Sequence, residues 1–577
     1  MTSRTEIYLF QWPLLTWVYE TVICSSCSLT HFTDWHIVND ERIAMAGKTG
    51  WTGYTWNKKL FPDPAAFLAE LHRRKLKVTL NDHPADGVQN YEDLYEDMAK
   101  TLDHDTSTND PIHFDITDRR FLKAFFNVLH RPLEDQGVDF WWIDWQQGEY
   151  SRVKGVDPLW VLNHYHFLDN ARNNKRPLTF SRYAGPGSHR YPVGFSGDSI
   201  VTWESLDFQP EFTATASNIG YGWWSHDIGG HMGGVKDDEL GTRWVQFGVF
   251  SPIMRLHSSN NQWTAKEPWK FGIEAKNVIT DFLRLRHRLL PYLYTMNAKS
   301  ALEGTPIIQP MYWDYPNRDE AYRVPNQYLF GSELMAVPIT EPQDPKLRLA
   351  RVRGWLPPGR YVDIFSGAVY EGDREIWLSR ALTGYPVFAR EGAIVPLDIA
   401  LKPGNGEDNP DGFEVLITVG KDGKFEILED DGTGSTVTDW IRIPISYTQA
   451  TGTLEIGPVF SERQFKLRFV AITESKEIRT FVDEVERKSL ITSESNGLLL
   501  DVGPVSGIIR VELGSNPQLR RPDAATMIWQ ILSDAQISFH LKEDIWTAVT
   551  SGVQVVSRLH ALEMDRKLLD ALLEYIL

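Results

Sequence analysis

Cysteine is almost missing from this sequence: Cys24 and Cys27, spaced C-x-x-C, are the only two in 577 residues. A redox motif needs a strand before it and a helix after it, and the flanking sequence shows neither. Asn-x-Ser/Thr sequons are absent. With no sequon and no disulfide framework, the expected setting is reducing and cytoplasmic. No apolar run is long enough to span a bilayer. The fairly apolar stretch Ile7 to Cys24 follows Arg4, but Glu6, Glu20 and the lack of a small-residue cleavage site argue against a signal peptide. No glycine-rich phosphate loop occurs, which removes the main support for a doubly wound nucleotide-binding sheet. Basic residues are in deficit, 59 against 77 acidic, for a net charge of −18. Such a surface repels nucleic acid, whose binding rests on neutralising phosphates. A neutral polar partner fits better.

What is present is an ordinary globular composition, 42% hydrophobic and 24% charged, long enough for several domains. Tryptophan and tyrosine are plentiful, at 21 each. Flat rings of this kind fill large cores or pack on the C–H faces of sugars, and composition alone does not choose.

From about residue 34 to 304, short apolar runs alternate with amphipathic helices. Asp63-Pro64 reads as an N-cap with proline at the first helical position, and Phe67, Leu68 and Leu71 give that helix one apolar face. Leu76 to Leu80 reads as a buried strand ending at Asn81-Asp82-His83-Pro84. Asp118 caps a helix carrying Phe121, Phe125 and Leu129. Val138 to Ile143 is an apolar strand that ends in Asp144, and Pro177 to Phe180 is one that ends in Ser181-Arg182-Tyr183. Further strand ends carry Asp198, His226-Asp227 and Arg255-Leu256-His257. Strand, polar end, helix, strand is the rhythm of parallel βα units, and in a closed barrel all the polar ends converge on one face. Residues 277–300 predict a helix that Pro291 kinks or ends.

Beyond about 305 the pattern turns to short β-rich runs separated by turns, the signature of β-sandwiches. We divide these into 305–400 and 401–523, with the turn-rich stretch 403–412 between them. In 524–577, Val555, Leu559, Leu562, Leu569 and Leu573 recur at helical spacing, predicting a helical tail that packs on the body or on a partner. Residues 1–33 form an atypical leading segment.

Two strand-end carboxylates stand out. Asp144 lies in Trp141-Trp142-Ile143-Asp144-Trp145, and Asp198 in Gly194-Phe195-Ser196-Gly197-Asp198. An acidic group among tryptophans is costly unless it is paired or used. A carboxylate pair on one barrel face suits glycosidic cleavage, one attacking and the other protonating the leaving oxygen. Each could equally be a helix cap or half of a salt bridge.

The ordered set Trp-Ile-Asp144, Ser-Arg182-Tyr, Gly-Asp198, Ser-His-Asp227-Ile-Gly-Gly and Arg255-x-His257 strongly resembles glycoside hydrolase family 31. So do the downstream stretches Gln327 to Gly331, Leu356 to Gly359, Ala389 to Gly392 and the Glu429-Asp430-Asp431-Gly432 turn. The resemblance runs over roughly residues 34–435. It implies a (β/α)8 barrel of the TIM type followed by C-terminal β-sandwich domains. It implies a retaining α-glycoside hydrolase acting through a covalent glycosyl-enzyme intermediate. Asp144 then matches the nucleophile and Asp198 the acid/base. Arg182, sixteen residues before Asp198, matches the arginine that contacts the sugar. Asp227, His257 and Asp34 match further pocket residues, and Trp145 and Trp224 are candidate sugar platforms. The family mechanism uses no metal and no cofactor, so a metal site at His226, Asp227 and His231 is not expected. The partner it implies is an oligosaccharide or other glycoside, with no nucleic acid and no membrane.

Two departures from the family matter. Only 33 residues precede Asp34, where the family has a β-sandwich and a first barrel strand; the expectation is a truncated start with that strand missing. After Asp144, Trp145-Gln146-Gln147-Gly148-Glu149 matches neither the common α-glucosidase nor the common α-xylosidase stretch. α-Glucoside is the leading substrate, with α-galactoside, N-acetyl-α-galactosaminide, α-xyloside and transglycosylation as alternatives. A reading of another class is an inactive carbohydrate-binding remnant.

Overall fold

The computed structural model describes residues 52–58, 61–144, 151–182, 185–259, 261–402, 404, 408–432, 440–472, 478–521 and 523–577. Cys24, Cys27, Asp34 and Trp145 lie outside these residues, as does the leading segment expected to lack a strand.

The first half builds one parallel sheet in chain order: β1 (Thr79–Asp82), β2 (Phe140–Ile143), β3 (Thr179–Arg182), β4 (Gly194–Phe195) and β5 (Trp224–Ser225). Parallel bridges Ser225↔Ile253 and Ile228↔Leu256 add a sixth position. The helices between strands start where the sequence supplies caps. Asp63 accepts from Ala66 N at 2.9 Å ahead of Pro64–Arg73, and Asp118 accepts from Arg120 N at 2.7 Å ahead of Arg119–Ala124. Leu68 and Leu71 are buried as the apolar stripe requires. The helix begun at Arg119 widens into a π-helical turn over Phe125–His130 before it resumes at Arg131–Gln136. The long helix expected around Pro291 is two, Ile273–Arg288 and Leu290–Glu303, because proline has no N–H for the ladder and its ring crowds the preceding turn.

Alternation along the strands sorts side chains between the sheet's two faces. The register Asn81↔Trp142↔Phe180 and Arg182↔Phe195↔Ser225 places these residues on one face. Trp142, Phe180 and Phe195 form an aromatic layer there, with centroids 4.5–5.6 Å apart. The Arg255 guanidinium lies 5.0–5.5 Å from all three rings. The opposite face carries Leu80, Asp82, Trp141 and Ile143 towards the helices.

Residues after 304 form a six-stranded sheet, a two-stranded sheet and a nine-stranded sheet. The strand Ile394–Asp398 pairs with Gly412–Ile417 in the largest sheet, so the chain changes sheet between Arg390 and Ile394, ahead of the 400/401 division. The Glu429-Asp430 turn reaches back to the first half: Arg176, just before β3, forms a buried ion pair with Asp430.

The tail is helical, as its periodicity predicts: Ala524–Asp534, Phe539–Thr550, Val555–Ala561 and Arg566–Ile576. It packs on the body. Glu574 is fully buried and accepts from Arg380 Nη1 at 2.5 Å, Tyr370 OH at 2.8 Å and Ser379 N at 2.7 Å. Arg380 also reaches Asp363 at 2.7 Å, so the buried carboxylate is fully partnered. Among the described residues no helix is long and apolar enough to cross a membrane.

Candidate active site

The polar ends of the strands converge above the aromatic layer. Asp144 follows β2 directly. Its Oδ1 accepts from Arg182 Nε at 2.6 Å, and its Oδ2 accepts from Asn81 Nδ2 at 3.2 Å and lies 3.4 Å from His83 Nε2. Burial alone would raise its pKa, but His83 and then Arg182 overturn that and hold the carboxyl well below the usual carboxylate range. Held low in this way, the carboxyl favours its charged form.

Arg182, at the end of β3, bridges two acids. While its Nε serves Asp144, its Nη2 donates to Asp198 Oδ2 at 2.9 Å. Asp198 hangs beyond β4 on a left-handed turn, with φ +65° at Gly197 and +53° at Asp198. The two acids differ in exposure. The Asp144 side chain is 10% exposed and that of Asp198 42%, so the first is sheltered and the second faces the mouth.

Gly197 is required twice over. A Cβ there would sit 2.8 Å from Arg182 Nη2, on a backbone that side chains rarely adopt. We expect Gly197→Ala to push the guanidinium off both acids and lower kcat/KM by on the order of 10²-fold while the chain stays folded, as a circular-dichroism melt run beside the assay will show.

Asp227, after β5, is fully buried against Arg255, and its Oδ2 accepts from Ser199 N at 3.2 Å. Burial pushes its pKa up, but Arg255, His257, His231 and the Ser199 N–H together outweigh it and hold the carboxyl low. His231 Nδ1 lies 3.5 Å from Asp198 Oδ1 and 3.9 Å from Asp227 Oδ2. His257 packs on His231 at 4.6 Å and on Trp142 at 5.1 Å. The structure therefore gathers Asp144, Arg182, Asp198, Asp227 and His257 around one mouth.

Trp224 is not among them. Expected to meet substrate, its side chain instead packs in the core against Phe212 at 5.0 Å and Tyr221 at 5.1 Å. The period of the strand explains this: Ser225 takes the inner face, so Trp224 must take the helix-facing one. His226 also points outward, with Ser196 Oγ at 2.9 Å and Thr213 Oγ1 at 3.0 Å on its two ring nitrogens. Asn81, His83 and Arg255, named in the sequence only as parts of strand ends, His231, named only in a metal site that is not expected, and Trp142 also lie at the site without having been assigned a role there. Alternation from Asp144 gives Trp142 a role, and the polar end of β1, already legible, gives one to Asn81 and His83.

Burial pushes His226 and His257 down to about 3 from their ordinary 6.5. Between those values the unfolded chain takes up protons that the folded chain refuses, so stability falls as pH drops through that window. At pH 5 each histidine costs about 2 kcal/mol. The expected result is a lower Tm at pH 5 than at pH 7.5, with the gap reduced in His226→Gln; an unchanged gap in the variant would contradict this assignment.

Comparison with known proteins agrees with this geometry. Residues 30–296 match the glycosyl hydrolases family 31 TIM-barrel domain and residues 304–395 the family 31 C-terminal domain. The chain belongs to glycosyl hydrolase family 31. An α-xylosidase of Saccharolobus solfataricus is 27% identical over 74% of this chain and 60% of its own length. Alpha-glucosidase 2 of Bacillus thermoamyloliquefaciens is 26% identical over 78% of this chain and 61% of its own. The chain thus spans about 60% of the length of these relatives. Among solved structures, the family 31 dextranase of Flavobacterium johnsoniae, complexed with glucose, superposes with a TM-score of 0.68 at 21% identity, over 88% of this chain and 71% of that one. The cycloalternan-forming enzyme of Listeria monocytogenes, in complex with a pentasaccharide, gives 0.70 at 19% identity, over 88% and 55%. In this family 31 chain, the βα half is the TIM-barrel domain and the strand-end acids lie on the face where such barrels carry catalysis.

Proposed function

We propose that this chain is the catalytic part of a retaining α-glycosidase that releases a terminal α-linked sugar, with α-glucose as the leading candidate. The observation that carries the reading is the pair of strand-end carboxylates, Asp144 and Asp198, held by the one guanidinium of Arg182. Acids that share a guanidinium are close together, which fits the short spacing of retaining enzymes, about 5 Å, better than the wider spacing that accommodates a water.

The two environments support a division of roles. Asp144, sheltered and held anionic, attacks the anomeric carbon and forms a β-linked glycosyl ester. Asp198, open to the mouth, gives its proton to the glycosidic oxygen as the C–O bond breaks. The aglycone leaves, and water takes its place. Asp198 then removes a proton from that water as its oxygen attacks the anomeric carbon, and the ester bond to Asp144 breaks. The free sugar carries the α configuration, since each displacement inverts the centre once. His257 lines the pocket where sugar hydroxyls would lie, and Asp227, fully buried on Arg255 and Ser199 N, supports that wall from beneath.

The relatives named an α-xylosidase and an α-glucosidase match at nearly equal identity, so the sugar must be found by assay. The test is a panel of aryl α-glycosides (glucose, xylose, galactose, N-acetylgalactosamine) with the product anomer followed by NMR. We expect the largest kcat/KM on the α-glucoside and α-anomer first. A β-anomer at early times, or a folded chain that cleaves none of the panel, would overturn the proposal.

A further inference from the structure

Away from the mouth, one buried cluster combines metal-binding donors with an unsatisfied nitrogen. It lies on the helix-facing side of β1 and β2. Asp82, His130 and His166 are at most 2% exposed there and offer ligand atoms within 4.8 Å of one another. Asp82 Oδ2 is 3.0 Å from His130 Nε2 and 3.8 Å from His166 Nε2. The His166 nitrogen, buried and aimed into the cluster, has no hydrogen-bond partner among the described residues.

The far side of two of the three ligands is already fixed. Tyr54 OH donates to Asp82 Oδ1 at 3.0 Å. His130 Nδ1 lies 2.8 Å from the Phe125 carbonyl; a carbonyl only accepts, so Nδ1 carries the hydrogen and Nε2 is the atom left for the cluster. A ring N–H held by a main-chain carbonyl, with the other nitrogen presented inward, is the outer-shell arrangement that orients metal-bound histidines. The π-helical turn Phe125–His130 makes this possible, because its wider winding brings residue 130 over carbonyl 125. Phe125, Phe126 and Trp141 surround His130 at 4.3, 5.6 and 4.2 Å.

We propose that Asp82, His130 and His166 form a structural zinc site. Two imidazoles and one carboxylate suit zinc and not magnesium or calcium, which take oxygen ligands. Zinc–ligand lengths near 2.0–2.1 Å set donor atoms roughly 3.3 Å apart around a tetrahedron. The Asp82–His130 spacing is within a few tenths of that, and His166 has to close on Asp82 by about half an ångström. The ion would clamp the segment 119–136 and the helix Pro158–Asn170 to the end of β1. That strand end is also the floor of the mouth, since Asp82 O accepts the Asp144 amide at 3.0 Å and Asn81 holds the Asp144 side chain.

The test is elemental analysis of the full chain purified without chelator and then dialysed against zinc. We expect about one zinc per chain, visible absorption bands when cobalt replaces it, and a Tm that falls on chelation and returns with zinc. His166→Asn should cut the zinc content at least 10-fold, whereas His540→Asn, at an exposed site, and the Cys24→Ser/Cys27→Ser double variant should keep it. Wild-type protein that holds no zinc and shows no zinc-dependent Tm would overturn the proposal and leave Asp82 and His130 as a buried hydrogen-bonded pair. Full zinc retention in His166→Asn would overturn it equally. Neither outcome bears on glycosidase activity, so failure here is distinct from failure of the function proposed above.

Discussion

Asp144→Asn will lower turnover of an aryl α-glucoside by on the order of 10⁴-fold or more, with the fold retained. The amide keeps the shape of the carboxylate but not its charge, and it cannot form the glycosyl ester. His83, Asn81 and Arg182 now converge on Asp144. In the variant they face a neutral group, so the guanidinium swings wholly to Asp198. Substrate binding should suffer much less than turnover, because the substitution leaves the rest of the pocket wall, His257 included, unchanged. The measurement is kcat and KM on the same glycoside, with a thermal melt to certify folding. A mechanism-based fluoroglycoside should add one sugar mass to the wild type and none to the variant. If the Asp144→Asn variant kept more than about a hundredth of wild-type kcat, Asp144 would not be the nucleophile.

Asp198→Ala will show a loss that depends on the leaving group. For natural disaccharides, whose alkoxide leaves poorly, kcat/KM should fall on the order of 10³-fold or more. For an aryl glycoside with an acidic phenol the first step needs little protonation, so the glycosyl ester on Asp144 accumulates and its hydrolysis becomes limiting. Azide, a nucleophile that needs no base, should then restore turnover and release an α-glycosyl azide. Exposure makes this experiment feasible: the Asp198 side chain is 42% open to solvent, so its removal leaves an accessible space for the anion. Equal losses on both substrates, with no azide product, would remove Asp198 from the acid/base role.

Much of the site was legible in the chain itself. Asp144, Arg182, Asp198, Asp227 and His257 each sit at the polar end of an apolar run, and the structure brings all five together. Local patterns are enough for this because parallel βα units deliver every strand end to the same face. Trp224 departs from its expected place because the two-residue strand Trp224–Ser225 is too short for its alternation to be read from sequence. His130 and His166 gave no signal at all. They lie 36 residues apart on helical segments, among apolar neighbours, and look like ordinary core histidines until Asp82 is seen between them.

Which residues carry charge, where helices begin after Asp63 and Asp118, that Pro291 interrupts the long helix, and the order of acids along the chain all follow from the amino-acid sequence alone. These are set by local terms: capping hydrogen bonds, backbone sterics and apolar period. That Arg182 joins Asp144 to Asp198, that Arg255 neutralises Asp227, and that Asp82 turns away from the mouth towards two histidines come from long-range packing. Those pairings depend on strand register and on which face each residue takes. Both are fixed when the sheet packs against its helices, by contacts among residues tens to hundreds of positions apart.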